Sequence, residues 1–527
     1  MNTATKDTLF TEVEALRAER EGFRTSIARQ DERIALYAEE VDRLREMIVQ
    51  MQKQAFGPRS ERWETEEQGK LLLNEVEVEA AKPADGETAG EETAAPPVDA
   101  GEVKVAAHTK KRGHRRPLPE HLKREIVEVE LPEDQRFDAQ GNALKVVGKE
   151  ISEKLCYEPA KITVIEYHRF RYGVDAGEPV KTAPPVPSII PKGIATASLI
   201  AAIVTAKYAD GLPLYRQEEI FLRQEIDLSR SSMARWVVQA AMAARPIWNL
   251  LEERLMQSHY VACDETHVQV LKEDGRKAES KSWMWLRTNP SDTEKIILFD
   301  YDPHRSGEVA KRLLMNFEGI LQCDGYGAYN AVEKQPGLTR IGCNMHGRRG
   351  FKKAADGAPK SKKLAAIGLK YYRALYAIET EARDLSWQKR YEYRLEKATP
   401  IWTEFKTWAE ETRKKVPRRS SIGDALHYFI GEYDYLVGYL LNGELEMDNG
   451  HAERMIKNFA IGRKNWMFSD TPEGADASAL FYSFVVTAKV NGVNPYEALK
   501  TIFTELPLAR TVDDFDRLAQ ILLGTKS

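Results

Sequence analysis

The sequence predicts a multidomain α/β protein. Its centre is a mixed sheet with covering helices, interrupted by a helical block. A coiled-coil helix, a small β-rich unit and a helix-turn-helix precede it. Three observations predict this. Apolar residues recur at alternating three- and four-residue spacing over residues 9–51. Short period-two runs appear between 126 and 172 and again between 259 and 344. Helical periodicity dominates the rest. At roughly 100–200 residues per domain, 527 residues are enough for several cores.

The N-terminal seam has a positions Val13, Arg20, Ile27, Ile34, Val41 and Ile48, and d positions Leu9, Leu16, Phe23, Gln30, Tyr37, Leu44 and Met51. One helix cannot bury such a seam alone, so a partner helix and at least a dimer are expected over 1–56. Gly57-Pro58 stops the helix. Residues 57–107 read as a flexible linker, with twelve acidic and three basic residues between Glu64 and Ala107. The sign then flips at His108–Arg116, where Lys110, Lys111, Arg112, Arg115 and Arg116 form a basic arm suited to phosphates or a minor groove. Period-two runs at 126–131 and 160–172 assign a small β-rich unit to 108–192.

Helical spacing resumes at Ala195. Leu214–Arg223, a turn capped by Ser229, and Arg230–Ala241 read as a helix-turn-helix within 193–250. Its second helix would offer Arg230, Ser231, Ser232 and Arg235 to a major groove. From 251 to 350 the pattern gives three hairpin-linked strands, a helix over 307–317, a strand ending at Asp324 and a last strand near Thr339–Asn344. Residues 351–446 read as an inserted helical block. A further helix carries Glu453 within 447–473, with a loop at 461–466, and 474–527 are helical.

Three carboxylates stand out: Asp264, Asp324 and Glu453, two expected at strand ends and one on a helix. Ligands of open α/β sheets gather at strand ends. Gathered carboxylates repel one another unless a cation neutralises them, and oxygen ligands favour Mg²⁺ or Mn²⁺. Two such ions can activate water and stabilise a leaving phosphodiester oxygen. Basic residues flank the carboxylates: Arg348 and Arg349 in RIGCNMHGRRGFKK, then Arg454, Lys457, Arg463 and Lys464 with Trp466 interleaved. Cations and aromatics beside a metal cluster suit a phosphate backbone and splayed bases. Cys343-x-x-His346 reads as a buried strand cysteine beside a positioning histidine rather than half a metal site.

Composition sets the boundaries. Lys+Arg 77 against Asp+Glu 81 gives a net charge of -4, so bulk charge announces no nucleic acid and local charge must be read. Cys156, Cys263, Cys323 and Cys343 form no C-x-x-C pair, which argues against a disulfide scaffold and fits a reducing cytoplasm. The longest apolar runs fall short of the ~18–20 residues of a membrane span, and no signal sequence is read at the start. A cytoplasmic, nucleoid-associated protein is expected.

The stretches AFGPRSERW, LIAAIVTAKYADGLPLYRQEEIF, ACDETHVQVL, CDGYGAYN, HGRRGFKKA and DNGHAERMIKNFAIGRKNWMFSD resemble those of IS66-family transposases, the DDE transposases of bacterial insertion sequences. The resemblance implies an RNase H-like catalytic core with a helical insertion. It implies Asp264, Asp324 and Glu453 as catalytic residues holding two Mg²⁺ or Mn²⁺ ions. It also implies cleavage and strand transfer at terminal inverted repeats, with double-stranded DNA and accessory proteins of the same element as partners.

Two departures bear on this. Relatives carry a cysteine-based zinc unit where Leu131–Tyr172 has only Cys156, so no structural zinc is expected. DDE enzymes often place a base seven residues after the glutamate. Here that position is Ala460, leaving Lys457, Arg463 or Lys464 to serve.

Overall fold

The computed structural model describes residues 193–524 apart from 358. It also describes 185–191, the short stretches 162–168, 171–172 and 181–182, and positions 20, 21, 30 and 41. The chain divides into two compact units, residues 1–60 with 185–527, and residues 61–184.

In the second unit, β1 (Arg171–Tyr172) pairs antiparallel with β2 (Lys181–Thr182). Of the strand expected over 160–172, residues 162–168 are exposed and irregular, and 160, 161, 169 and 170 lie outside the described residues. Val164 is 95% exposed and its neighbour Ile165 56%. Alternation specifies a strand only where one face meets a buried surface, and neither does here. The basic arm, the strand expected at 126–131 and Cys156 lie outside the described residues. Of the N-terminal seam, Arg20, Gln30 and Val41 are helical and exposed; its other positions lie outside the described residues.

From residue 185 on, the first unit begins with α1 (Ala197–Tyr208), α2 (Leu214–Leu222) and α3 (Arg230–Met256). Ser229 caps α3 as expected, its side chain accepting from the Ser232 amide at 3.3 Å. After its first turn α3 buries Met233, Val237, Ala240, Ala244, Ile247, Leu251 and Leu255. These residues share one apolar core with α1, the sheet and the C-terminal helices. One face of α3 is therefore a wall of the central body, while its first turn and residues such as Gln239, Met242 and Glu253 are exposed; α2 buries only Gln217.

Five strands form the sheet: β3 (Tyr260–Gln269), β4 (Lys281–Thr288), β5 (Ile297–Asp302), β6 (Gly319–Gln322) and β7 (Leu338–Ile341). Their order is β5-β4-β3-β6-β7. The β3, β4 and β5 pairs are antiparallel, while β6 and β7 run parallel to β3. Helix α4 (Gly307–Leu313) makes the crossover from β5 towards β6. This is the mixed sheet read from the sequence, with one correction. Asp264 does not end a strand. Pairing with β4 carries β3 on to Gln269, whereas pairing with the four-residue β6 stops at Ala262.

The helical block starts at Asn344, earlier than the expected 351. It comprises α5 (Asn344–Ala355), α6 (Pro359–Ala382), α7 (Trp387–Arg413), α8 (Ser421–Gly431) and α9 (Tyr433–Leu436). Phe351, Tyr372, Trp402, Phe405 and Phe429 fill its own core, with the Phe405 and Phe429 rings 4.0 Å apart. Buried Arg394 pairs with Glu379 and donates to the carbonyls of Asn442 at 3.1 Å and Leu445 at 2.9 Å. It thereby ties the block to the segment that returns to the sheet.

The chain closes with α10 (Gly450–Trp466), α11 (Pro472–Val490), α12 (Pro495–Glu505) and α13 (Val512–Leu523). Helix α11 is bonded to β5: Ser483 Oγ accepts from the Phe299 amide at 2.8 Å and Thr487 Oγ1 from that of Ile297 at 3.0 Å. The loop expected at 461–466 is instead the last part of α10. Gly462 is there for close packing, since a Cβ on it would lie 1.9 Å from Tyr482 Oη.

Candidate active site

Registered pairs of β3 and β6 run from Tyr260↔Ile320 to Ala262↔Gln322. Asp264 and Asp324 lie two residues beyond the last pair, in the same register. The β3–β6 pairing stops before both of them, and Asp324 lies past the end of β6 while Asp264 is still within β3. Glu453 enters from the first turn of α10 and is buried.

Helix α10 is stitched to β3 along its length. At its start, buried Asn449 donates to the Cys263 carbonyl at 2.6 Å. Further on, Arg463 bonds the His267 carbonyl and Thr266 Oγ1. Beyond its end, Met467 takes φ 67°, and Ser469 joins β3 by a parallel bridge at Val270. These ties set the glutamate against the strand that carries Asp264.

Burial pushes the Asp264 carboxyl well above the usual carboxylate range, and Glu265, Glu453 and Asp324 add repulsion. Glu453 is raised too, mainly by burial, with Arg349 and Lys457 acting against the shift. Asp264 Oδ1 accepts from the Glu265 amide at 2.9 Å, and Asp324 Oδ1 from the Tyr326 amide at 3.0 Å. An oxygen donor set of this kind, poor in fixed compensation, suits a hard divalent cation.

Around it lies a shell that the sequence did not announce. Glu265 pairs with Arg305 and accepts from Tyr329 Oη at 2.6 Å. Arg305 stacks over the Tyr326 ring, 3.6 Å from its centroid. The adjacency of Glu265 to Asp264 was visible; its partners, 40 and 64 residues away, were not. His346 lies between two of the carboxylates, with Nε2 4.0 Å from Asp324 Oδ2 and Nδ1 3.7 Å from Glu453 Oε1. Cys343 is not in a strand: β7 ends at Ile341, and Cys343 is the N-cap residue of α5.

The expected DNA contacts divide into groups. Lys110, Lys111, Arg112, Arg115 and Arg116 lie outside the described residues. Arg230, Ser231 and Arg235 are exposed at the start of α3, while Ser232 is engaged in the cap and accepts from Arg235 at 3.4 Å. Arg348 is exposed beside the Tyr376 ring, and Arg349 reaches Glu453 at 3.6 Å. Arg454 and Lys464 are exposed on α10. Of the three bases considered as substitutes for Ala460, Lys457 is the one that acts on Glu453, while Arg463 is turned towards β3. Trp466 packs against Tyr208 and Tyr482, with Lys207 Nζ 3.9 Å from its ring centroid. That packing makes it part of the body rather than a freely presented stacking platform.

Residues 192–477, from the segment before α1 into α11, match the family described as Transposase IS66 family. The chain belongs to the IS66 transposase family. Residues 43–127 match a family described as Transposase C of IS166 homeodomain, and 483–519 one described as IS66 C-terminal element. Similar proteins include three of Sinorhizobium fredii (strain NBRC 101917 / NGR234). Uncharacterized protein y4qI is 31% identical over 408 residues, covering 74% of each chain. Uncharacterized protein y4jD is 30% identical over 403 residues, 74% of this chain and 78% of its own. Uncharacterized protein y4hP is 27% identical over 476 residues, 87% and 85%. For this IS66-family chain, membership implies transposition, DNA binding and dependence on a divalent metal. The family match spans all three carboxylates and the helical block between them. Among the described residues, no helix is long and apolar enough to cross a membrane.

Proposed function

We propose that this chain is a DDE transposase that binds the inverted repeats at transposon ends, cuts the DNA and joins the freed 3′ end to target DNA. What supports the reading is that Asp264 and Asp324 each follow the last β3–β6 pair by two residues, and that Glu453 and Asp324 are among the charges that raise the buried Asp264 carboxyl. The sheet order, with three antiparallel strands followed by two parallel to the first, supports an RNase H-like core.

Asp264, Asp324 and Glu453 would hold two Mg²⁺ or Mn²⁺ ions. Bound there, such ions supply Lewis-acid stabilisation of phosphoryl oxygens and a more acidic water. The chain's own residues position and exclude. Asn449 and the Ser469 bridge fix Glu453 relative to Asp264. The Arg305–Glu265–Tyr329 group holds the strand segment next to Asp264. Exposed Arg348, Arg454 and Lys464 suit phosphates entering along α5 and α10, and Arg230, Ser231 and Arg235 suit a second DNA contact at the start of α3.

The N-terminal seam, with Arg20, Gln30 and Val41 exposed, suits pairing of subunits so that two ends are brought together. Accessory proteins of the same element and an association with the nucleoid fit the same reading.

The test is strand cleavage of duplexes carrying the element's ends, with Mg²⁺, beside end binding measured by fluorescence anisotropy. Asp264→Ala should lose cleavage and keep binding. A variant that still cuts in Mg²⁺ contradicts the assignment.

A further inference from the structure

Beside the oxygen cluster, three donors of a different chemistry face one another. Cys343 and His346, three residues apart at the start of α5, meet Glu453 at the start of α10. Their ligand atoms all lie within 4.8 Å of one another. Cys343 Sγ is 4.0 Å and His346 Nδ1 3.7 Å from the same oxygen, Glu453 Oε1. Tetrahedral zinc, with bonds of about 2.3 Å to sulfur and about 2.0 Å to nitrogen and oxygen, has ligand-to-ligand edges of roughly 3.3–3.5 Å. The two edges to Glu453 would contract by about 0.4–0.5 Å, and the Cys343–His346 edge, within 4.8 Å, would close to about 3.5 Å.

One of the three donors lacks a partner. His346 Nδ1 is buried with no hydrogen-bond partner. Cys343 Sγ accepts from the Asn449 amide at 3.2 Å, a contact that also supports a thiolate. We propose that Cys343, His346 and Glu453 form a site for one thiophilic divalent ion, Zn²⁺ by chemistry, with its fourth position left to solvent. Mg²⁺ has no use for the sulfur and imidazole donors.

Binding releases the Cys343 thiol proton to solvent. Ligation through Nδ1 leaves the imidazole proton on Nε2, facing Asp324 Oδ2 at 4.0 Å, the arrangement of a carboxylate behind a metal-bound histidine. Arg349, whose Nη1 is 3.3 Å from Nε2, swings aside through its exposed end.

The inference extends the catalytic reading in one respect: an ion held here engages Glu453 and competes with its use in the oxygen cluster. Zn²⁺ should then inhibit Mg²⁺-dependent cleavage. The binding test stands apart from that reading. The full chain, reduced and metal-free, is titrated with Co²⁺ and followed by absorption, then back-titrated with Zn²⁺.

The expected result is one equivalent giving a thiolate-to-cobalt charge-transfer band with four-coordinate visible bands, all bleached by Zn²⁺. The band should vanish in Cys343→Ser and persist in Cys156→Ser and Cys323→Ser. His346→Asn should weaken Co²⁺ binding at least tenfold while thermal melting confirms a folded chain. Absence of the band in the wild-type chain, or its survival in Cys343→Ser, overturns the proposal.

Discussion

Asp264 and Asp324 each lie two residues beyond the last β3–β6 pair, Asp264 still within β3 and Asp324 past the end of β6. The relationship explains why one carboxylate sits inside a strand and the other just past one. The antiparallel partner β4 carries β3 onward, and the parallel partner stops two residues before Asp324. Burial, with Glu265, Glu453 and Asp324 adding repulsion, raises the Asp264 carboxyl, and the consequences can be measured.

The first is a pH effect on the metal-free chain. Asp264 and Glu453 have carboxyls raised above their unfolded values. Above the unfolded value the unfolded chain gives up protons that the folded chain retains, so stability falls as pH rises through that window. Melting temperature without metal should decline as pH rises above the unfolded carboxylate values. Mg²⁺ should restore more of it at the higher pH, and Asp264→Asn should flatten the decline. Differential scanning fluorimetry over this range checks both, and a rising profile without metal would contradict the repulsion.

Asn449 acts on the site through its backbone partner. Its Nδ2 meets the Cys263 carbonyl at 2.6 Å, next to Asp264, and Asn449 is the residue before α10. Asn449→Ala leaves that buried carbonyl without its donor and should cost about 1–3 kcal/mol in urea unfolding. Cleavage should fall while DNA affinity stays close to wild type. Equal losses in both would mean a general folding role.

Arg394 tests the tie between the helical block and the sheet. It is buried and bonded to Glu379 and to the carbonyls of Asn442 and Leu445. Arg394→Ala leaves the carbonyls of Asn442 and Leu445 without their donor and the partly buried Glu379 unpaired, and should cost about 3–5 kcal/mol. Arg394→Lys should recover little, because one ammonium cannot replace the planar fork. Chemical denaturation followed by tryptophan fluorescence reads this, Trp402 lying in the same block core.

Local pattern made the central architecture legible. Period two in 259–344 marked the sheet, a helix signal marked the crossover, and the three carboxylates stood out by their place in those elements. Tertiary partners decided the rest. Residues 162–168 alternate yet meet no surface that would bury one face. Gly462 looked like a loop residue and is a packing point for Tyr482. Trp466, read as a stacking aromatic, is packed beside Lys207 and Tyr482. Asn449 and Arg305 act on partners 186 and 40 residues away, which no local spacing encodes.

The central claim is that three carboxylates hold shared divalent ions. Anomalous scattering from crystals of the chain with Mn²⁺ and end DNA tests it most directly. The account predicts Mn²⁺ peaks ligated by oxygens of Asp264, Asp324 and Glu453 together, beside the scissile phosphate. Peaks that leave any of the three without a metal contact, or no peak in that cleft at saturating Mn²⁺, would contradict it.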